Sequence, residues 1–454
     1  MAREYKDVVV GLDIGTAKVM AVVAEVLPGG ELKLAGLGVA PSNGLKRGVV
    51  VNIDATVQSI QQALKEAELM ADCKIQRVYT GITVSHIRGQ NSRGMVAVKD
   101  KEVTPADVAR VVETAKAINI SSDQRLLLVE PQEFVIDGQD VREPVGMSGM
   151  RLEAKVLETA RAINISTDQR PLLVEPQEFV IDGQEVKEPI GMSGIRLESK
   201  VHIVTCAQSA AENILKCVRR CGLEVDHLML NPLAASMATL TEDERELGVV
   251  LIDIGAGTTD IAVFSGGAIR HTAVILIAGD LITSDIAMAL RTPTKDAEDI
   301  KVESGYAKQL LADPEAQVEV PGLGDRSPRM LSKQALAGVI EPRVEEIFSL
   351  VQQVVRESGY EEVLSSGIVL TGGSSVMPGM IELGEDIFLK PVRRGMPKYS
   401  SALADMVAQP RAATVMGLLE EARLARLRGF KVAQKSGSVK TAFGRFKDFI
   451  VGNF

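Results

Sequence analysis

Residues 248–267 have the sequence GVVLIDIGAGTTDIAVFSGG, in which two apolar segments of strand length flank a short turn of Asp, Gly and Thr. Residues 8–26, VVVGLDIGTAKVMAVVAEV, show the same arrangement 240 positions earlier. Through most of the chain, apolar segments of strand length alternate with longer stretches of helical periodicity, which predicts an α/β protein. Because the two hairpin-like units lie so far apart, they indicate two related domains rather than one closely spaced repeat.

The composition excludes several classes of protein. With 454 residues, of which 46% are hydrophobic, the chain can bury a large core and is expected to contain more than one domain. The N-terminal segment MAREYKD is too charged for a signal peptide, and no apolar run approaches the ~18 residues of a membrane span. A net charge of −9 disfavours nucleic acid as a partner. We therefore expect a cytoplasmic protein that does not bind nucleic acid.

The C-terminal segment differs in charge from the rest of the chain. Residues 423–447 contain eight Lys and Arg and no acidic residue, so they carry +8 and the remainder, by difference from −9, carries −17. Four of the ten Phe residues fall within the last 12 positions. Apolar residues from position 439 onward recur every three or four positions, which predicts an amphipathic helix over 439–454 after a basic linker at 423–438.

Such a helix is too short to cross a bilayer, but it suits the membrane interface, with Phe side chains among the acyl chains and cations near anionic lipid. The alternative is a helix that packs on the protein's own core. We favour reversible binding to an anionic membrane surface. The residues predicted to bind this surface are Val439, Phe443, Arg445, Phe446, Lys447, Phe449 and Ile450.

A second repeat consists of two nearly identical segments. Residues 113–156 recur as residues 158–201, and 36 of the 44 aligned positions are identical. Two copies are too few for a solenoid, and a tandem duplication, or an artefact of the gene, explains them better than a functional repeat. Only the first copy follows a helix-start signal, Thr104 and Pro105. We therefore expect the helix of this region to come from the first copy and its closing strand from the second.

Three glycine-containing turns indicate a nucleotide site. In the first, DIGTAK, Gly15 lets backbone N–H groups approach a phosphate, and Thr16 and Lys18 add donors. Asp13 of the same turn can hold the water shell of Mg²⁺. One such turn alone is more often a plain β-turn, but a second turn repeats its chemistry. The candidate residues of the second turn are Asp253, Gly255, Gly257, Thr258 and Thr259.

The third element, GIVLTGGSSVMPG, places Gly372 and Gly373 directly after an apolar strand, where the backbone can lie against a ribose or a base. Three such elements in this order indicate a nucleotide site far more specifically than any one of them does. Together, DIGTAK, LIDIGAGTTDIAVF and IVLTGGSS resemble the actin-like ATPase superfamily and, within it, the FtsA family of bacterial cell-division proteins. The likeness extends over nearly the whole chain. The departure is the 45-residue duplication, since the family carries this segment once.

The resemblance implies an α/β fold of the actin-like ATPase type, in which two related domains enclose ATP and Mg²⁺. Asp13 and Asp253 would face the metal ion, and the turns after them would hold the phosphates. The nucleoside would lie against Gly372, Gly373, Glu298 and Lys301. Where efficient ATPases of the superfamily carry Glu or Gln to orient the attacking water, this chain has Asn231, which cannot act as a carboxylate base. At most slow ATP hydrolysis is expected.

The resemblance also implies a domain plan, with a small α+β subdomain, 1C, inserted into the first domain. The expected segments are 1–85 (domain 1A), 86–200 (subdomain 1C, with the duplication), 201–230 (domain 1A), 231–285 (domain 2A), 286–361 (subdomain 2B), 362–395 (domain 2A), 396–422 (domain 1A), 423–438 (basic linker) and 439–454 (membrane-binding helix).

By the same resemblance, the chain would form filaments and tether the ring of the tubulin-like protein FtsZ to the cytoplasmic face of the inner membrane at the division septum. It would be a peripheral membrane protein. Subdomain 1C would contact other division proteins, and 2B would bind the C-terminal peptide of FtsZ. Arg326, Arg329 and Lys333 could contact such an acidic peptide, although each is equally compatible with a solvated basic loop.

Other members of the superfamily are alternatives. A sugar or acetate kinase needs a catalytic Asp base, for which the sequence offers no strong candidate. A peptide-binding chaperone needs a β-rich domain after the ATPase, for which the chain has no room. A pilus-assembly protein is the nearest alternative, and it would lack the terminal helix.

Overall fold

The computed structural model describes residues 7–83, 88–97, 105–116, 134–136, 139–141, 169–181, 184–187, 196–324, 326–399 and 404–435. Its strands are β1 (Val8–Ile14), β2 (Lys18–Val26), β3 (Leu32–Pro41), β4 (Leu45–Lys46), β5 (Val49–Val50), β6 (Arg77–Ile82), β7 (Arg88–Ala97), β8 (Phe134–Ile136), β9 (Gln139–Val141), β10 (Gln169–Ile181), β11 (Gln184–Lys187), β12 (Arg196–Ala207), β13 (Glu224–Leu230), β14 (Val249–Ile254), β15 (Thr259–Ser265), β16 (Ala268–Ile275), β17 (Gln317–Val320), β18 (Arg329–Ser332), β19 (Ile368–Thr371) and β20 (Val392–Arg394).

Helices alternate with these strands. They are α1 (Ile53–Ala71), α2 (Pro105–Lys116), α3 (Gln208–Arg220), α4 (Asn231–Thr239), α5 (Glu242–Leu247), α6 (Gly279–Leu290), α7 (Thr294–Ser304), α8 (Lys333–Ser358), α9 (Met380–Phe388), α10 (Ala404–Val407) and α11 (Ala413–Lys435).

The first domain is built on a five-stranded sheet of order β13-β6-β1-β2-β3. Strands β1, β2 and β3 form an antiparallel meander, and β6 and β13 add parallel strands beside β1. Neighbouring residues of β1 alternate between the two faces of the sheet. Val10 packs with α1 and α3 on one face, whereas Val9 packs with α11 on the other. Helices therefore cover both faces, as the α/β pattern of the sequence requires.

The second domain repeats this architecture in a sheet of order β16-β15-β14-β19-β20. Its first three strands are again an antiparallel meander, and β19 and β20 again add parallel strands beside the central one. One face packs against α6, α8 and α9, where the rings of Phe348 and Phe388 meet at 5.2 Å between centroids. Each strand of the first sheet has a counterpart in the second, which confirms the prediction of two related domains.

Helices α4 and α11 pack on each other and form a wall shared by the two domains. In α11, Val415 packs against the first sheet, whereas Ala413 packs with Phe264 of the second sheet. Gly417 sets the distance between the two helices, because a Cβ there would overlap the carbonyl oxygen of Ala234. The two sheets therefore share a common layer of helices rather than joining only through loops.

The inserted region contains a six-stranded sheet of order β7-β12-β10-β11-β9-β8, with α2 packed on β7 and β12. Gly94 lets α2 approach the sheet, because a Cβ there would overlap the backbone of Val111 and Ala115. Helix α2 ends within the first residues of the first copy, whereas β12 belongs to the second copy and its continuation, and pairs antiparallel with β7. The predicted combination, a helix from the first copy and a closing strand from the second, is confirmed.

A buried histidine joins this insert to the second domain. His202, on β12, is 1% exposed. Its Nδ1 lies 2.7 Å from Oδ1 of Asn91 on β7, and its Nε2 lies 3.0 Å from Oγ1 of Thr272 on β16. The side chain of Asn91 also donates to the backbone carbonyl of Arg270, at 3.5 Å. Burial, with a smaller effect from His271, lowers the pKa of His202 to about 3, so the ring is neutral and anchors the insert on the edge strand β16.

Two boundaries differ from the predicted domain plan. Strand β12 continues past residue 200, where the insert was expected to end. Helix α11 continues through residues 423–435, which were predicted as part of a linker. One of the basic residues there, Arg426, pairs with Asp7 at 3.2 Å and so ties this stretch to the start of the first domain.

The described residues contain no helix that is both long and apolar enough to cross a membrane. The predicted amphipathic helix over 439–454 lies outside the described residues, as do all seven residues predicted to bind the membrane.

Deleting residues 113–157 is expected to leave the melting temperature unchanged or to raise it. The deletion joins Val112 to Glu158, so that α2 then ends in ETAR instead of ETAK. The packing of α2 on β7 and β12 is retained, while fewer residues lose conformational freedom on folding. Thermal melting followed by circular dichroism compares the two chains. A decrease of more than about 5 °C would show that both copies are integral to the fold.

The neutral ring of His202 predicts acid sensitivity. In the unfolded chain, a histidine takes up a proton near pH 6.5, whereas in the folded chain the pKa of His202 is about 3. The contribution of this group is therefore fully present above about pH 6.5 and decreases as the pH falls, by up to ~1.4 kcal/mol per pH unit. His202→Gln cannot be protonated, so its free energy of unfolding should fall less between pH 7 and pH 5. Urea unfolding at both pH values measures this, and an unchanged pH dependence would contradict the prediction.

Candidate functional site

The two predicted phosphate-binding turns have the same backbone geometry. In each, the N–H of the first glycine donates to the carbonyl three residues later at 2.9 Å, from Gly15 to Lys18 and from Gly255 to Thr258. Each turn joins the central strand of its sheet to the next strand, β1 to β2 and β14 to β15. The similar turns of the sequence therefore occupy equivalent places in the two domains.

The two domains approach each other closely at Gly257. A Cβ on this residue would lie 2.7 Å from Oγ1 of Thr16 and 3.0 Å from Cα of Arg47. Oγ1 of Thr16 accepts a hydrogen bond from the N–H of Gly48 at 3.1 Å, which holds the hydroxyl in place. The second turn can contact the first only because position 257 has no side chain. We call residues 13–18 and 253–260 the domain junction.

At the domain junction, two carboxyl groups, one from each domain, lie close enough for their charges to interact. Asp13 is buried and Asp253 is partly buried. Burial, followed by the charge of Asp13, raises the pKa of Asp253 to about 6. Burial also raises the pKa of Asp13, opposed by Lys18, whose Nζ lies 3.5 Å from Oδ2 of Asp13. The hydroxyl of Thr414 donates to Oδ2 of Asp253 at 3.3 Å. Among the described residues, Lys18 is the one ammonium group that pairs with Asp13. The two carboxyl groups therefore supply the hard oxygen donors and the excess negative charge that suit Mg²⁺.

A third carboxyl group, on Asp260, bridges the domains beneath the second turn. Thr83 of the first domain donates to its Oδ1, and Thr258 of the second domain donates to its Oδ2, both at 3.2 Å. Burial, followed by the charge of Asp253, its partner in register on β14, raises the pKa of Asp260 well above its usual range. Asp260 was not among the residues predicted from the sequence, although it ends the motif DIGAGTTD.

The third glycine element contacts the second turn. Gly372 follows β19 with φ at +87°, and the hydroxyl of Ser374 donates to the carbonyl of Gly255 at 2.9 Å. Gly373 borders open space, since the atom nearest to a Cβ there would be Cβ of Arg411 at 3.9 Å. The glycine pair therefore lies beside the domain junction, with one member enclosed and the other open.

Glu298 and Lys301 are linked to the same turn. Nζ of Lys301 donates to Glu298 at 2.6 Å, to Oγ1 of Thr283 at 2.8 Å and to the carbonyl of Gly279 at 3.1 Å. The N–H of Gly279 in turn donates to the carbonyl of Gly255 at 3.1 Å. The start of α6 thus connects the predicted pair to the second turn.

Several predicted donor side chains already bind groups of the protein. Thr259 donates to the carbonyl of Ile277 at 2.7 Å, and Lys18 donates to the carbonyl of Arg411 at 2.5 Å. These contacts hold the turns in shape. A bound phosphate would therefore share Lys18 with the protein rather than engage it alone.

Asn231, predicted to stand where other ATPases orient water, begins α4. Its Oδ1 is buried and has no hydrogen-bond partner among the described residues. It faces Gly81 at the end of β6, where a Cβ would overlap this oxygen and approach Cγ2 of Thr414 at 3.4 Å. A buried oxygen without a partner indicates a place for a water molecule or a ligand atom.

The residues predicted to bind a partner peptide lie away from the turns, on β18, on the loop before it and at the start of α8. Arg326 and Arg329 are exposed. Arg329 donates from Nη2 to the carbonyl of Leu290 at 2.8 Å, and Nζ of Lys333 lies 6.0 Å from the ring centroid of Tyr306. The structure therefore gives Arg329 a structural contact that the sequence did not indicate.

Comparison with known proteins agrees with this architecture. The family model described as "Cell division protein FtsA" matches residues 250–417, and the model "SHS2 domain inserted in FTSA" matches twice, at 84–157 and at 154–205. The FtsA of Pseudomonas aeruginosa is 49% identical over 453 residues, which cover 98% of both chains. The chain belongs to the FtsA family. The FtsA proteins of Neisseria meningitidis, at 46% over 98% of both chains, and Escherichia coli K12, at 42% over 95% of this chain and 94% of its own, are also similar.

Solved structures confirm the fold. The PilM–PilN complex of type IV pilus biogenesis matches with a TM-score of 0.58 at 16% identity, over 91% of this chain and 98% of that one. MreB5 of Spiroplasma citri bound to ADP matches with a TM-score of 0.51 at 14% identity, over 93% of this chain and 98% of that one. The predicted actin-like fold is thus confirmed, and the double match of the insert domain agrees with the duplication in this FtsA-family chain.

Substitution of Gly372 and of Gly373 tests whether the backbone conformation and close packing of Gly372 are required for stability. Gly372→Ala is expected to lower the free energy of unfolding by at least about 2 kcal/mol, because φ is +87° and the new Cβ would overlap Oδ1 of Asp253. Gly373→Ala is the matched control, with its new Cβ 3.9 Å from the nearest atom, and should change stability by less than about 0.5 kcal/mol. Urea unfolding measures both. Equal losses would show that the conformation of Gly372 is not the constraint.

Proposed function

We propose that this FtsA-family chain binds ATP with Mg²⁺ between its two domains. The observation that carries the proposal is the facing pair of glycine turns around Asp13 and Asp253. Backbone N–H groups of such turns suit phosphate oxygens, and the carboxyl pair suits a divalent cation. The structure of S. citri MreB5, which has a similar fold, is named as bound to ADP, and this supports nucleotide binding by this chain.

In this proposal, Mg²⁺ would be held by Asp13 and Asp253, directly or through its water shell, and would offset the charge of the phosphates. Gly15, Thr16 and Lys18 would contact phosphate from the first domain. The second domain would contribute Gly255, Gly257, Thr258 and Thr259 to the phosphates, and Gly372, Gly373, Glu298 and Lys301 to the nucleoside.

Hydrolysis would be slow at most. Asn231 begins α4 with its side-chain oxygen buried, and an amide cannot accept a proton as a carboxylate base does. The amide could at best orient a water molecule. A small-molecule kinase needs a catalytic Asp base, for which the sequence offers no strong candidate, and this favours a nucleotide-dependent switch over such an enzyme.

We further propose that the chain forms filaments and tethers FtsZ to the cytoplasmic membrane at the division septum. Identity of 49% over almost the full length of a cell division protein supports this role, and it disfavours a pilus-assembly protein, whose likeness is limited to the fold. The FtsZ peptide would contact Arg326, Arg329 and Lys333, and the insert would contact other division proteins. Residues 439–454 would bind the anionic membrane surface.

The metal-binding role of Asp253 is testable by Asp253→Asn. The substitution removes one of two neighbouring carboxylates, so the protein without nucleotide should keep or raise its melting temperature. Affinity for ATP in the presence of Mg²⁺ should fall about tenfold or more, which corresponds to ~1.4 kcal/mol. In EDTA the affinities of the two proteins should be similar. Isothermal titration calorimetry under both conditions measures this, and a variant that is less stable but binds ATP·Mg²⁺ normally would give Asp253 a structural role only.

Membrane binding is testable by Phe446→Glu. A charge on the apolar face of the predicted helix should abolish sedimentation with anionic liposomes, because that face would have to enter the acyl region. Thr441→Glu is the matched control, since helical periodicity places position 441 opposite Phe446 and the added charge is the same. Equal loss in both variants would indicate net charge rather than the apolar face. Equal binding of both variants and the parent would remove the tail as the anchor.

A further inference from the structure

The duplicated segment places two hairpins of nearly identical sequence side by side in one sheet. The segment FVIDGQ occurs at 134–139 and at 179–184. In the first copy it forms β8 and β9, and in the second copy it forms the end of β10 and the start of β11. The strand order β10-β11-β9-β8 shows that the hairpins meet through their second strands.

The two hairpins pair in a register that relates equivalent residues of the two copies. Strands β11 and β9 are parallel, with Val186 opposite Asp140 and Lys187 opposite Val141. In the first copy, the equivalent of Val186 is Val141, 45 positions earlier, so the pairing is offset by one residue. Because successive residues of a strand lie on opposite faces, this offset puts equivalent residues on opposite faces of the sheet. The two copies of the hairpin are therefore related by an approximate half-turn about an axis along the strands, combined with a shift of one residue along that axis.

Because β11 and β9 are equivalent strands of the two copies, the same edge is used on both sides of the contact. Because each of the two edges then covers the other, the contact joins two strands and leaves neither of these edges open for a third. The same pairing needs no covalent link between the copies. It can form equally between two chains, provided that strand β11 is open on its outer side.

We propose that strand β11 (Gln184–Lys187) is a self-recognition edge, which in this chain is occupied by the hairpin β8–β9 of its own first copy. An unoccupied β11 would bind the corresponding β11 of a second copy of the protein by strand addition. The linked hairpin has the advantage of a high effective concentration, so in the full-length chain it excludes a second molecule from this edge.

The backbone of Lys187 is the point at which this edge can be blocked. Two residues separate β10 from β11 in the sequence, and Ile181 pairs with Gln184 and Phe179 with Val186. Hydrogen-bonded and non-hydrogen-bonded pairs alternate in antiparallel strands. The N–H of Lys187 is therefore directed away from β10 and towards β9. Proline at this position removes a donor of the edge and spares the hairpin β10–β11.

The first experiment uses the full chain. Hydrogen exchange followed by mass spectrometry should show that Lys187→Pro makes the amides of residues 134–141 exchange at least about tenfold faster, since the first-copy hairpin is released. Lys187→Ala is the matched control, because it loses the same side chain and keeps the N–H, and it should exchange like the parent. Circular dichroism checks that both variants are folded. Equal exchange in Lys187→Pro and Lys187→Ala would overturn the proposed pairing.

The second experiment opens the edge. The chain lacking residues 113–157 retains β10, β11 and β12, and it should sediment with about twice the monomer mass at concentrations where the full chain is monomeric. Nucleotide is omitted, so that the result does not depend on the proposed ATP-linked filament. Adding Lys187→Pro should restore the monomer, and Lys187→Ala should not. A monomeric deletion chain, or a dimer that persists with Lys187→Pro, would overturn the self-recognition edge.

Discussion

The structure depends on bringing two carboxyl groups from different domains close together. Asp13 and Asp253 end equivalent strands, and burial and mutual repulsion raise the pKa of Asp253 to about 6. Lys18 is the one ammonium group that pairs with Asp13 in the described chain, and it also donates to a backbone carbonyl. An arrangement of this kind is unfavourable unless the rest of the protein holds the domains at this distance. The proposed Mg²⁺ would offset this repulsion.

Several contacts set that distance, and each of them lies between the domains rather than within one. Gly257 packs against Thr16, and Asp260 accepts a hydrogen bond from Thr83. Behind the turns, Gly417 lets α11 lie close to α4 in the wall that both sheets share. Because these contacts join the two domains beside the turns, a ligand that binds both turns would also act on the relative position of the two domains. The proposed nucleotide would therefore act on both domains at once.

The insert is connected to both domains. His202 bridges its strand β12 to the edge strand β16 of the second domain, while β12 continues into α3 of the first domain. The insert thus contacts both domains and would respond to a change in their relative position. The duplication adds the hairpin β8–β9 to the far edge of the same sheet, away from His202.

Much of the fold could be predicted from the sequence, because it depends on local patterns. Alternating apolar segments specify strands and helices, and the turns DIGTAK and DIGAGTTD occur at equivalent places in the two domains. The helix signal at Pro105 and the closing strand after the second copy also follow from local sequence. The continuation of α11 to Lys435 does not follow from local sequence, because a run of cations is as typical of a polar linker as of an exposed helix.

The sequence by itself therefore determined the α/β class, the two related domains, the three glycine elements and the family. Only the tertiary structure decided that Asp260 bridges the domains, that His202 anchors the insert, and that Arg329 is tied to the end of α6. The physical reason is the range of the interactions. Periodicity and turn chemistry act between residues close in the chain, whereas a buried hydrogen bond between residues 70 to 177 positions apart has no local signature.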